Sequence, residues 1–469
     1  MKASHTARRL VLWSVTGIAA QGLSRLSTNV LIGRVAGVES LGHVSTISAA
    51  AFGAALLGPT AIAAAQTKFV AHMEGRGEID SARAMAQTLS SWSFLSGAIL
   101  SVVVGLWLGV PLGVSDALVG LCLTLGACGY AMGRSVCFLE GRNEAGARWE
   151  VLMGVFGLTG AGIMAWLGAE GGLLLIPQAL ALNAYAAHFN RPKRRVRALP
   201  REIVEFVFLS TVAGLASAGV FHLTILAARL DGDSLAAGLA SAALAVSTPL
   251  SFIAGAVTSV LYPRLARSVG AQDIAAGLAL ARRAALGLAS VLLPPVFLAT
   301  YFAPDFLSAV WGKPFTAAAE LVAPMAAGIV ATAVAAPEVA MLTASSRSGV
   351  RQSTVASIGG TAIGIVLWVM ALWMPGSQLT LISYGYMVSM SLTAIASTVI
   401  LARRIAATTL YAAGACAVIL AAPVARGLTP SEYEAAVGVA AGGALLAASL
   451  WAVRGRAAKG STLYSLVRR

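Results

Sequence analysis

The chain has 469 residues, of which 58% are hydrophobic and 11% charged, with a formal net charge of +14. A soluble globular protein carries about 25% charged residues, so this composition excludes a water-soluble body, and the mean hydropathy of +0.81 puts most of the chain against lipid. The basic residues sit in short clusters between apolar runs; that is the pattern of loops facing anionic lipid, not of a groove that tracks nucleic-acid phosphates. The four cysteines (Cys122, Cys128, Cys137, Cys416) lie in or beside apolar segments with no metal or haem spacing, so no metal or other cofactor is expected.

In chain order, Lys2, Arg8 and Arg9 before Leu10–Ala20 have the look of a signal peptide. The stretch without acids continues to Gly33, however, and predicts a retained first helix over 10–33. Thirteen further apolar runs follow, at 42–67, 85–109, 117–138, 149–168, 171–189, 203–228, 235–262, 284–303, 318–343, 352–374, 379–402, 406–425 and 434–453. Each has about the 17–25 residues a bilayer demands. With the N-terminus inside, 28 basic residues fall in inner segments and four (Arg34, Arg229, Lys313, Arg426) in outer ones, leaving Arg25 within a span. That asymmetry predicts both termini in the cytoplasm. The Arg-rich, Ala/Gly-rich composition points to a bacterial inner membrane.

The halves echo each other at an offset of 195 residues, which lays Arg34–Gly37 on Arg229–Gly232 and Gly75 on Gly270. The expected fold is therefore all-α and integral to the membrane, with about 14 transmembrane helices in two pseudo-symmetric six-helix lobes plus two extra C-terminal helices. The expected divisions are an N-lobe over 1–190, a basic cytoplasmic linker over 191–202, a C-lobe over 203–402, and helices 13 and 14 with a cytoplasmic tail over 403–469. Pro59, Pro177, Pro249, Pro294, Pro295, Pro324 and Pro337 interrupt helices, and Gly360 with Gly364 forms a small-residue packing motif.

Three segments carry a family likeness: Gly33-Arg-Val-Ala-Gly-Val-Glu-Ser-Leu-Gly42, Leu261-Tyr-Pro-Arg-Leu-Ala266 and Trp311-Gly-Lys-Pro-Phe-Thr-Ala-Ala-Ala319. In order and spacing over roughly 8–402 they resemble the multidrug/oligosaccharidyl-lipid/polysaccharide (MOP) exporter superfamily, in its lipid-linked oligosaccharide flippase branch. The resemblance implies alternating access and export of a polyprenyl-diphosphate-linked glycan for cell-surface polysaccharide biosynthesis. It also implies partners: the lipid-linked glycan, the bilayer, and a polysaccharide polymerase or glycosyltransferases.

The expected cavity residues are Gln21, Arg25 and Asn29, spaced to share one face of helix 1, and His222 in helix 7 near the repeat position of Arg25. A guanidinium grips phosphate bidentately without changing protonation, and an arginine within a span normally faces a polar cavity or a partner. A carbonyl-bonded structural arginine and a hydrogen-bonded structural histidine are the competing readings. Lys68 and Arg264, at matching repeat positions, are candidates for receiving a headgroup at the inner mouth, though ordinary inside charge explains them nearly as well. Glu338 after Pro337 and Glu140 at the end of helix 4 are candidates for coupling, or for pairing with Arg347 or Arg134.

An enzyme is disfavoured, because no His/Asp/Glu cluster, phosphate loop or metal spacing occurs and no large outer loop exists to hold an acceptor. The alternatives are a lipid II flippase for peptidoglycan and a MATE-like drug/cation antiporter. The antiporter is expected to carry an acid within helix 1, where this chain has Arg25.

Overall fold

The computed structural model describes residues 2–75, 77–190, 198–230, 234–270, 272–345, 347–374, 378–402 and 407–457, and every regular element among them is helical. The basic cluster of the expected linker (191–197) and the C-terminal tail lie outside the described residues. Ten helices are long and apolar enough to cross a bilayer, eleven with one bent pair counted as a span. The chain is a multi-pass membrane protein. The count of fourteen is not reached by this measure: the runs expected over 10–33 and 42–67 fall in one helical segment, Ala19–Glu74, and the described apolar parts of the last two helices, Ala413–Leu428 and Glu434–Leu445, are shorter.

Contacts divide the chain into two units. The first holds residues 1–245 with 310–314 and 374–382; the second holds 246–309, 315–373 and 383–469. The first unit begins with α1 (Lys2–Ala55), whose 54 residues would extend about 80 Å at 1.5 Å per residue, far beyond a hydrocarbon core of about 30 Å. It breaks at Gly37, with φ of 86° and ψ of −179°, a backbone position that glycine reaches without strain. The turn expected within Gly33–Gly42 is thus centred on one glycine. After Gly58 and Pro59 the chain resumes as α2 (Pro59–Ala65), a π turn (Gln66–Val70) and α3 (Ala71–Gly75). The π turn loosens the backbone ladder, and Ser135 and Thr67 both donate hydroxyl hydrogen bonds to the Ala63 carbonyl, at 3.0 and 3.1 Å.

Four helices complete the bundle around α1: α4 (Ile79–Leu112), α5 (Val114–Leu139), α6 (Asn143–Trp166) and α7 (Ile176–Phe189). A 3-10 turn, Gly171–Leu175, opens α7. The single span expected over 203–228 is instead two helices, α8 (Arg201–Leu215) and α9 (Ala218–Leu230), bent by 49°. Gly214, Ser217 and Gly219 surround the break, and the Ser217 hydroxyl turns back to the Ala213 carbonyl at 2.7 Å.

The start of α10 (Ser234–Gly270) crosses the second part of α1 very closely. Gly42 lies against Ser234, Gly238 lies against Val38, and Ser45 donates to Ser241 at 2.7 Å. The contacts are reciprocal: at an offset of 196 residues, 38, 42 and 45 fall on 234, 238 and 241, so that 42 against 234 and 238 against 38 are one contact made in both directions. Two copies of one segment meeting about a two-fold axis make contacts of this kind.

The second unit packs α11 (Ile274–Tyr301), α13 (Ala319–Ser345) and α16 (Ala407–Leu428) through small residues, among them Ala285, Ala289, Ala326, Ala327 and Ala415. Small side chains let helix axes approach where lipid offers no hydrophobic drive between helices. α12 (Ala303–Val310) follows α11; α14 (Arg347–Ala371) and α15 (Gln378–Ala402) meet where Gly360 and Gly364 lie against Ser389, Thr393 and Gly385. α17 (Glu434–Ala457) docks on α11, with Gly438 against Tyr301. Arg426 joins these ends, reaching Asp305 at 2.7 Å, Glu434 at 3.0 Å and the Tyr301 carbonyl at 3.1 Å.

Candidate functional site

The expected helix-1 face is only partly a site. Gln21 and Arg25 line a cavity between α1, α6 and α7, together with Ser24, Thr28, Glu150 and Gln178; Asn29 and His222 do not line it. The cavity holds about 30 Å³, room for one or two waters. A diphosphate does not fit in this state, so a phosphate could meet Arg25 only after the helices part.

Arg25 has no carboxylate partner among the described residues. Its guanidinium carbon sits 3.8 Å from the centre of the Phe52 ring, and its buried Nε has no hydrogen-bond partner there. A ring face is worth about 0.5–2 kcal/mol to a cation and leaves the charge uncancelled. His222, carried by α9, stacks on the same ring with centroids 6.4 Å apart, and its buried Nδ1 likewise finds no partner among the described residues. The structure thus brings Arg25 and His222 together through Phe52, a residue that sequence reasoning did not single out.

Glu150 was also missed. It stands near the start of α6 with 4% exposure, and Gly17 of α1 lies against its carboxylate, leaving no space for a Cβ. The Tyr130 hydroxyl donates to Glu150 Oε1 at 2.5 Å and lies 3.1 Å from the Gln21 side-chain amide. Because a phenol has one proton, the Gln21 amide turned the other way supplies the second bond as donor. Arg134 Nε is 3.4 Å from the same carboxylate oxygen. Tyr130 and Arg134 are four residues apart on α5, a spacing that puts them on one face and could have signalled the cluster. With Glu150 held by Arg134 and Tyr130, the cavity keeps the uncompensated positive charge of Arg25.

The remaining expected residues lie elsewhere. Lys68 is exposed in the π turn, with Nζ 4.4 Å from the Phe206 ring centre and 5.3 Å from that of Phe69. Arg264 is half-buried on α10 in the second unit. Glu140 pairs with Arg142 at 3.2 Å rather than with Arg134, and both are about half exposed. Glu338 is buried in α13 at 1% exposure; the Arg347 side chain, one of its suggested partners, lies outside the described set.

A second polar constellation was not anticipated. His43 Nε2, on α1 beyond the Gly37 break, lies 2.7 Å from Asp116 Oδ2 at the start of α5. The other Asp116 oxygen accepts the Gly172 backbone N–H at 2.8 Å, at the 3-10 turn that opens α7. No group of three or more potential metal ligands occurs among the described residues.

No family model and no curated protein matches the chain. Solved structures do match. A MATE transporter from Vibrio cholerae is 15% identical, with 85% of this chain covering 96% of that one at a TM-score of 0.58. An inward-facing multidrug resistance MATE family transporter of the MOP superfamily is 17% identical, with 83% covering 96% at 0.57. A MOP superfamily transporter from Pyrococcus furiosus, described as having a binding pocket of reverse polarity, is 16% identical, with 86% covering 96% at 0.54. At such identities the likeness is one of fold, and it extends over nearly the full length of those proteins: the chain has the fold of MATE transporters of the MOP superfamily.

Proposed function

We propose that this protein is a transporter that moves a polyprenyl-diphosphate-linked oligosaccharide across the bacterial cytoplasmic membrane by alternating access, for cell-surface polysaccharide biosynthesis. The observation that carries the proposal is Arg25, a cation in a cavity-lining position that packs on the Phe52 ring and has no carboxylate partner among the described residues, while the nearby acid is already matched. An unpaired cation at membrane depth costs several kcal/mol unless an anion visits it, and a diphosphate supplies that anion to a bidentate guanidinium. The smallness of the cavity assigns the contact to an opened state, and the MATE structures include both inward-facing and outward-facing forms of their own proteins.

In this scheme both termini are cytoplasmic, fourteen helices form two six-helix lobes plus two, and Lys68 and Arg264 receive the headgroup at the inner mouth. What supports this for Lys68 is an ammonium that lies over the Phe206 and Phe69 rings with no ion pair among the described residues. His222, sharing Phe52 with Arg25, orients that ring, and Glu338 remains a buried acid in the second unit.

The test is complementation of three strains: one lacking a lipid-linked oligosaccharide flippase, one lacking a lipid II flippase, and one lacking drug-exporting MATE transporters. Rescue of the first supports the proposal, and rescue of the second alone moves it to peptidoglycan. Glu150 within the cavity favours a second reading, a MATE-like cation antiporter, which drug resistance in the third strain without rescue of the others would establish.

A further inference from the structure

We propose that His43 and Asp116 form a proton-binding site that couples proton entry from the outer face to opening of the Arg25 cavity. This rests on the transport function proposed above, and it moves the coupling group away from Glu140, whose pairing with Arg142 at the surface is that of an ordinary rim charge.

Three features of the pair suit it to the task. First, it is graded in access: the His43 side chain is 24% exposed and that of Asp116 only 8%. The imidazole is therefore the accessible member of the pair, while the carboxylate is withdrawn behind it. Second, its charge is adjustable. With His43 neutral the pair carries one negative charge; a proton from the outer solution, bound by the pair, brings it to zero. Histidine is the side chain built for such a change at about pH 5 to 8. Third, the pair is connected to the cavity. Asp116 holds the Gly172 N–H at the 3-10 turn Gly171–Leu175, and there is no room for a side chain at Gly172 beside the carboxylate. That turn continues into α7, whose Gln178, Ala181 and Leu182 line the cavity opposite Arg25. A proton on the imidazole turns its hydrogen bond to Asp116 into an ion pair and draws the carboxylate charge toward His43, which weakens the charge-assisted bond to Gly172 at this turn and frees α7 to move.

Other charges do not account for the pair. Arg34 and Glu39 on α1, Glu170 before the 3-10 turn and Arg229 on α9 lie toward the same end, and neither His43 nor Asp116 bonds to any of them. α4, α6 and α7 carry no charged residue at that end; Asp231 and Asp233 lie outside the described residues. Nor does the fold require the pair. At the 196-residue offset that relates the reciprocal α1 and α10 contacts, the equivalent positions are Leu239 and Gly312, and neither holds a proton.

The test reads cavity access and needs no substrate. In full-length protein reconstituted in vesicles, with the four native cysteines replaced by alanine, Gln178→Cys is labelled with a maleimide at about pH 6 and about pH 8. The same is done in the His43→Gln and Asp116→Asn backgrounds. Glutamine keeps an N–H for Asp116 but does not titrate, and asparagine keeps an oxygen for Gly172. Dividing each rate by that of His43→Gln cancels the pH dependence of the thiol itself. The ratio for the parent protein is expected to change at least about threefold between the two pH values, as a titrating histidine would produce. Asp116→Asn, whose neutral side chain holds Gly172 weakly at either pH, should give a ratio that stays constant between them. A parent ratio that does not change with pH overturns the proposal, as does an Asp116→Asn protein that keeps the parent's response. If Asp116→Asn fails to accumulate, the parent and His43→Gln comparison decides alone. A pH response that persists in a protein rescuing none of the three strains overturns the transport function and leaves the proton site standing.

Discussion

Arg25 and Arg134 both stand beside the Glu150 cluster, and replacing each by alanine separates a binding role from a structural one. Arg25 contributes no ion pair among the described residues, so its removal loses a ring contact worth about 0.5–2 kcal/mol and relieves a buried charge. Arg25→Ala should accumulate in membranes at the parent level. Arg134 is different. Its loss leaves Glu150, 4% exposed, with only the Tyr130 hydroxyl, and stranding a buried charge costs about 3–5 kcal/mol. Against a total stability of about 5–15 kcal/mol, Arg134→Ala should lower abundance severalfold, and adding Glu150→Gln should restore most of it because the stranded charge is gone. For export the order reverses. A charge-assisted hydrogen bond to substrate is worth about 1.5–3 kcal/mol, so Arg25→Ala should reduce export per folded molecule by about ten- to 150-fold. Arg25→Lys should keep part of it, since the ammonium retains the charge and loses the fork. The assay is complementation of a flippase-deficient strain with membrane abundance measured in parallel. Full export by Arg25→Ala, or its loss from the membrane as severe as that of Arg134→Ala, would refute the reasoning.

Three further outcomes are expected. Cysteines placed at Arg195 and Gly460 should escape a membrane-impermeant reagent in intact cells while those at Lys313 and Gly427 react; labelling of position 195 from outside would overturn the topology. Phe52→Leu removes the ring shared by Arg25 and His222 and should lower export by about two- to 30-fold, the equivalent of 0.5–2 kcal/mol; unchanged export would deny the ring a part in holding the guanidinium. Arg426→Ala breaks the tie between α12, α16 and α17, and because Asp305 is largely exposed the cost should be only about 1–2 kcal/mol, read as a lower Tm in detergent with export retained.

Composition and hydropathy made the membrane class and the helix order legible, because spanning segments must be apolar whatever they pack against. A break between the first two spans was legible too, in the gap between the runs 10–33 and 42–67, but not which of Gly33, Gly37 and Gly42 takes the positive φ. The break between α8 and α9 was not, since no proline marks it and Gly214, Ser217 and Gly219 are ordinary in so glycine-rich a chain. Arg25 was visible as a charge within a span. Glu150 and the His43–Asp116 pair were not, for a common reason: each acid lies near a span end, where a charge normally faces water, and only tertiary packing withdraws it. Burial is a property of neighbours far apart in sequence, and hydropathy averages over it.

The fold itself is silent about cargo, since one scaffold serves many functions and the site decides among them. What the site offers is a difference in sign. A cavity built to take a cation presents a carboxylate whose charge the cargo completes. Here the carboxylate is already completed: Glu150 receives Tyr130 and Arg134, and Gly17 closes on it so tightly that no ligand could be interposed from the α1 side. Arg25 packs on a ring and has no carboxylate partner among the described residues. A cation approaching this cavity would meet the guanidinium in a low-dielectric setting, where like charges repel strongly; an anion would meet a guanidinium whose buried Nε has no hydrogen-bond partner among the described residues. Among the described residues the charge left over at this cavity is therefore positive, and it is on this residue of charge, rather than on the presence of an acid in the cavity, that the proposal of an anionic headgroup rests.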